Sequence, residues 1–240
     1  MGPDGPRLDA YLHPDAQRPR PALLVVHGGA WMIGDKRSTA HVAEAAAERG
    51  FAAFNVNYTL ATPENPGFPR QLTELRAAVR WIRANAAQLN VDPDRIGALG
   101  ASAGGHLVAL LALGGDGPLD EGSRIRAAVT WSAPTKLDSL RGWLGLAVQN
   151  LVGCLQLECP RREDAASPVT HVSPDDAPMM IVNGGREIVA ASQARLLARR
   201  LGWIGVPHRL RIVPGADHGR EHAAAALRPS FRFLVRQLTR

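Results

Sequence analysis

Ser102 stands in Gly100-Ala101-Ser102-Ala103-Gly104, a G-x-S-x-G between two apolar runs, "RIGAL" and "HLVALLAL". Glycines on both sides let a strand turn sharply into a helix, lifting the serine hydroxyl on a strained corner. The start of that helix offers free amides to a developing negative charge. A hydroxyl so placed suits nucleophilic attack on an acyl carbon, given a base to take its proton. The spacing does not fit the dinucleotide fingerprint G-x-G-x-x-G, and the Lys-Ser/Thr ending of a phosphate loop is missing. The plain alternative is an ordinary Gly-rich turn with an N-capping serine.

A second stretch, "VVHGGAW", closes an earlier apolar run. Paired glycines after a strand allow backbone amides to point into a cavity, where they stabilise an oxyanion. The expected donors are the amides of Gly29, Ala30 and Ala103. His27 is expected to anchor this loop, and Trp31 either lines a substrate pocket or packs in the core. Of the eight histidines, His218 in "PGADHG" is the expected base, because its loop follows the strand-like "HRLRIVPG" at the end where the other motifs converge. His222, one turn further on, is the second choice. His106 is too near Ser102 and reads as a packed helical residue. His13, His41, His171 and His208 have no such context.

The elements that must position these groups follow from hydrophobic periodicity. "RLDAYLH", "PALLVVHGG", "FAAFNVNY", "RIGALG", "IRAAVTWSA", "APMMIVNGG" and "HRLRIVPG" read as strands, several of them continuously apolar as in strands covered on both faces. "STAHVAEAAAERG", "GGHLVALLAL", "AASQARLLARRLG" and "GREHAAAALRPSFRFLVRQL" read as helices. In "FPRQLTELRAAVRWIRANAAQLNV", Leu72, Leu75, Val79, Ile82 and Leu89 recur mostly at three- and four-residue spacing, so one amphipathic helix is expected. Strands alternating with helices predict an α/β fold, a mainly parallel, doubly wound sheet of about six strands plus the N-terminal one. One domain over 1–240 is expected, with 136–175 an irregular segment, carrying one or two short helices, that could partly cover the site.

Together, "HGGAWMIGDK", "VRWIRANAAQLNVDPDRIGALGASAGGHLVALLA" and the late "PGADH" resemble the α/β-hydrolase fold family, in its esterase/lipase branch with an HGG-type oxyanion loop. The resemblance runs from about residue 20 to the end. It implies no cofactor, and set against that branch the expectation here is a shortened N-terminus and a minimal cap. It also implies hydrolysis of small carboxylic esters through a Ser-His-acid triad, in the chain order serine, acid, histidine. In that branch the acid follows the penultimate strand in a stretch like N-S-x-D-E-I-V-P. Here "NGGREIVA" matches at Asn183, Glu187, Ile188 and Val189, but Arg186 holds the aspartate position and Ala190 the proline's. Three readings stand open. Glu187 serves as the acid; another carboxylate or a water orients His218 poorly; or catalysis is lost and the chain is a binding protein of hydrolase fold. Asp217 adjoins His218, where the backbone points the two side chains apart. An aryl amidase of the same fold is a further alternative.

Composition narrows the rest. With 45% hydrophobic and 21% charged residues the chain is globular, neither disordered nor fibrous. The formal charge of +6 comes almost wholly from arginine, since Lys36 and Lys136 are the only lysines. These arginines are scattered beside acids rather than clustered as a nucleic-acid surface would need, so no nucleic-acid partner is expected; the resemblance implies a small-molecule ester as the partner. No apolar run reaches the roughly 18 residues of a membrane span. The opening residues lack the apolar core of a signal peptide, which sets the expectation at the cytoplasm, although a trimmed exported chain would read the same. Cys154 and Cys159 lack a second cysteine pair to complete a metal site, and read either as a local disulfide or as two free thiols. Oligomeric state is not legible.

Overall fold

The computed structural model describes residues 7–13, 17–114, 122–155, 158–215, 218 and 220–239, the last stretch without the side chains of 220–224. Seven strands form one sheet in the order β1-β3-β2-β4-β5-β6-β7. They are β1 (Leu8–Tyr11), β2 (Arg20–Val26), β3 (Ala52–Val56), β4 (Val91–Ala101), β5 (Ala127–Trp131), β6 (Met179–Gly184) and β7 (His208–Val213). β1 runs antiparallel to β3 and every other pair is parallel. This is the α/β-hydrolase architecture, in the doubly wound form expected from the strand–helix alternation.

β2 shows why the apolar runs lie flat between two layers. Leu24 and Val26 enter the core on one face of the sheet, while Leu23 and Val25 enter the core on the other. Successive side chains of a strand point to opposite faces, so a strand covered on both must be apolar throughout. The first core takes residues from α2 (Arg70–Ala84), α4 (Ala103–Ala112), α5 (Gly142–Val152) and α7 (Ala191–Ile204). The second is covered by α1 (Ala40–Ala47) and α8 (Arg220–Leu238).

The expected helix through Leu89 is two. α2 buries Leu72, Leu75, Val79 and Ile82 and ends at Ala84, and a one-turn α3 (Ala86–Leu89) follows. The break falls at Asn85, whose side-chain amide donates to the Trp81 carbonyl. The backbone N–H of Asn85 donates to that same carbonyl, at 3.0 Å, as the last bond of the α2 ladder. Asn90 then closes the turn with φ 51, a left-handed conformation that asparagine tolerates.

Between β5 and β6 the chain forms α5, α6 (Pro160–Ala165) and short 3-10 turns. Cys154 and Cys159, just after α5 and just before α6, are joined in a disulfide. No helix among the described residues is long and apolar enough to cross a membrane.

Candidate active site

β2 and β4 are neighbours in the sheet, yet α1 leaves β2 for one face and α4 leaves β4 for the other. Connections that part to opposite faces open a crevice at the carboxyl ends of the two strands. The HGG loop follows β2 and the G-x-S-x-G turn follows β4, so both reach this crevice.

Ser102 has φ 55 and ψ −122, a conformation that L-residues rarely adopt. It is held there by its own amide, which donates to the Trp131 carbonyl at 2.7 Å, and by its carbonyl, which accepts from the His106 amide at 2.9 Å. The turn depends on Gly104, where a Cβ would stand 2.3 Å from the Val26 carbonyl oxygen and 2.4 Å from that of His27. A glycine is therefore the condition for α4 to start against β2. Ala103 is the first residue of α4, and its amide is among the donors that a helix start leaves without an internal acceptor.

The HGG loop bends through three consecutive positive φ values, 117 at Gly29, 48 at Ala30 and 65 at Trp31. Gly28, Gly29 and Ala30 line a cavity of about 500 Å³ together with Ser102 and His218. The amides of Gly29 and Ala30 find no acceptor among the described residues. His27 lies beneath the loop, stacked on Tyr58 at 4.3 Å between ring centroids, and its Nδ1–H donates to the Gly28 carbonyl at 2.6 Å. Burial lowers its pKa, which keeps the ring neutral.

Trp31 differs from the pocket-lining expectation. It is 1% exposed and packs in the core, outside the cavity wall. The cause is its hydrogen bond: Nε1–H donates to His106 Nδ1 at 3.1 Å, and His106 Nε2–H donates to the Ala166 carbonyl at 2.7 Å. A buried indole goes where its N–H finds an acceptor. His106 is fully buried and its pKa is pushed down to about 4, first by desolvation. It thus stays neutral with both nitrogens satisfied.

Glu187 and His218 come together. The His218 Nδ1–H donates to Glu187 Oε2 at 2.7 Å, and the Glu187 side chain is 0% exposed. Its other oxygen, Oε1, accepts from the Gly184 amide at 2.6 Å and from the Ser132 hydroxyl at 3.0 Å. Arg186 is exposed, and no ion pair joins it to Glu187 among the described residues. With Nδ1 donating to the carboxylate, a neutral His218 carries a bare lone pair on Nε2, the form a general base needs. Asp217 lies outside the described residues, and so does the side chain of His222.

Ser132 and Trp143 are site residues that the sequence reading did not single out. Ser132 immediately follows β5, at the carboxyl edge where its neighbours act, and that placement was the available signal. Trp143, on α5, forms part of the cavity wall, as do Ile188 and Val42, while Ser38 and His41 give it a polar side. No Asp, Glu, Lys or Arg is among the described residues of the wall. No group of three or more His, Cys, Asp or Glu that could hold a metal occurs among the described residues.

The sheet and this crevice define a protein of the α/β-hydrolase fold, in its esterase/lipase branch. The BD-FAE family model matches residues 8–201, and the chain belongs to that family. It is 31% identical over 203 residues to the probable carboxylic ester hydrolase LipM of Mycobacterium tuberculosis, an alignment covering 78% of this chain and 47% of LipM. To the esterase LipQ of the same organism it is 29% identical, covering 93% of this chain and 56% of LipQ. The chain thus spans about half the length of these relatives. Among solved structures it is similar to an acetyl ester-xyloside bifunctional hydrolase from Caldicellulosiruptor lactoaceticus. The TM-score is 0.82 at 25% identity, covering 97% of this chain and 85% of that one.

Proposed function

We propose that the chain is a serine carboxylesterase acting on small, uncharged esters, with Ser102 as nucleophile, His218 as general base and acid, and Glu187 as the third member of the triad. His218 Nε2 takes the Ser102 Oγ proton as Oγ attacks the ester carbonyl carbon. The amides of Gly29, Ala30 and Ala103 receive the oxyanion, and Glu187 stabilises the imidazolium. Collapse expels the alcohol, which takes its proton from His218 Nε2, and leaves an acyl-Ser102. Water, deprotonated by His218, then releases the acid and restores Ser102.

The observation that carries this reading is the 2.7 Å contact between Glu187 Oε2 and His218 Nδ1, with His218 and Ser102 in the wall of one cavity. A carboxylate so placed favours a working triad over a hydrolase fold kept only for binding. The similarity to LipM, a probable carboxylic ester hydrolase, and to the esterase LipQ agrees with it. The cavity's size and the absence of Asp, Glu, Lys and Arg from the described residues of its wall favour a short acyl chain and a neutral alcohol. The test is hydrolysis of p-nitrophenyl acetate and butyrate by the purified chain beside Ser102→Ala. Turnover that disappears in the variant is expected. Equal turnover in both, or none in either, would remove the assignment.

A further inference from the structure

Oε1 of Glu187 has two donors and Oε2 has one. The Gly184 amide and the Ser132 hydroxyl both serve Oε1, at 2.6 and 3.0 Å, while His218 serves Oε2 at 2.7 Å. The two donors to Oε1 have separate origins, Gly184 ending β6 and Ser132 following β5. We infer that Ser132 is a positioning residue: its hydroxyl fixes the plane of the Glu187 carboxylate so that Oε2 faces His218. The inference rests on the triad reading above and adds a fourth residue to it.

The need for such a residue follows from glutamate itself. Its terminal torsion, between an sp³ and an sp² carbon, is broad and soft. The Gly184 amide alone would hold Oε1 at one point and let the carboxylate pivot about it. A second donor from the neighbouring strand removes that freedom. An aspartate has one fewer torsion to control, so the demand arises with the glutamate found here. Ser132 also has φ 52, a strained value for a residue other than glycine, and its amide donates to the Val182 carbonyl at 2.8 Å. Its backbone is thereby tied to the strand that leads to Glu187. No ion pair other than that with His218 reaches Glu187 among the described residues.

The test compares wild type, Ser132→Ala, Ser132→Gly and Ser102→Ala on p-nitrophenyl acetate across pH. Glycine accepts φ 52 without strain, so a loss shared by the alanine and glycine variants belongs to the hydroxyl and not to the fold. We expect kcat to fall about tenfold in both, as for loss of one hydrogen bond to a charged group, with KM within about twofold. The acid limb of the kcat profile should move to lower pH, because a pivoting carboxylate stabilises the imidazolium less. A change in KM alone would assign Ser132 to substrate contact instead. A limb moved to higher pH would mean that the hydroxyl weakens the carboxylate rather than aims it, and either result overturns the inference. If wild type shows no Ser102-dependent turnover, the triad reading fails first. The His218 titration, followed by NMR in wild type and Ser132→Ala with His218→Gln to assign the signal, then decides separately. A lower His218 pKa in the variant supports positioning, and an equal or higher one ends it.

Discussion

Arg186 and Glu187 differ by one position and by everything that matters to His218. The arginine lies exposed, while the glutamate side chain is fully buried with three donors on its two oxygens. One extra methylene lets Glu187 reach an imidazole that an aspartate at the preceding position would be expected to serve. Glu187→Gln should therefore lower kcat on p-nitrophenyl acetate by roughly 10² to 10⁴, the range in which tautomer control by the acid falls. Arg186→Asp should leave kcat within about twofold of wild type, because under the proposed triad Glu187 already serves as the acid. Steady-state kinetics of the two variants side by side checks both. A gain of tenfold or more in Arg186→Asp would show that Glu187 holds the histidine poorly.

At the scale of elements, the site depends on how closely α4 starts against β2. A methyl group at position 104 would overlap the carbonyls of Val26 and His27, which are backbone and cannot step aside cheaply. Gly104→Ala should destabilise the fold by about 1 to 3 kcal/mol, as overpacking does, and should shift the corner carrying Ser102 enough to abolish most turnover. Denaturant unfolding and kinetics on one preparation measure both effects. α5 bears on the cavity in a different way. It presents Trp143, 52% exposed, to the cavity. Trp143→Ala should raise KM for the butyrate ester by about three- to tenfold, more than for the acetate, with kcat little changed, since losing apolar wall costs the longer acyl chain more. Equal effects on the two esters would place Trp143 on the alcohol side.

The whole molecule carries a pH dependence in its buried histidines. His106 is held neutral in the fold, with its pKa at about 4 against 6.5 in an unfolded chain, and burial lowers that of His27 as well. Above pH 6.5 neither state binds a proton at His106 and the ring contributes no slope. As pH falls from 6.5 toward 4 the unfolded chain takes up a proton that the folded ring refuses. Stability then drops, by up to about 3 kcal/mol from His106 alone at 1.36 kcal/mol per pH unit. His27 adds loss of the same sign. His106→Gln should flatten the fall between pH 6.5 and 4, whatever it costs at neutral pH. Chemical denaturation at several pH values measures the slope, and an unchanged slope would show that His106 protonates freely in the fold.

Residue type and order alone determine the alternation of apolar strands with helices, the glycines around Ser102, the HGG loop and His218 at a strand's carboxyl end. Each is a local property, set by backbone sterics or by a two- or 3.6-residue period, and local properties are legible in a string. The break at Asn85 is not legible along the chain, because the apolar spacing runs on through it from α2 into α3. Trp31 was ambiguous because both its fates are apolar, and the acceptor that decided between them, His106, lies 75 residues away. The acid is open along the chain for the same reason. Whether Glu187 reaches His218, and whether a serine 55 residues earlier holds it, depends on β5, β6 and the loop after β7 meeting at one edge. Such a meeting is a matter of distance across strands, which no pattern along the chain encodes.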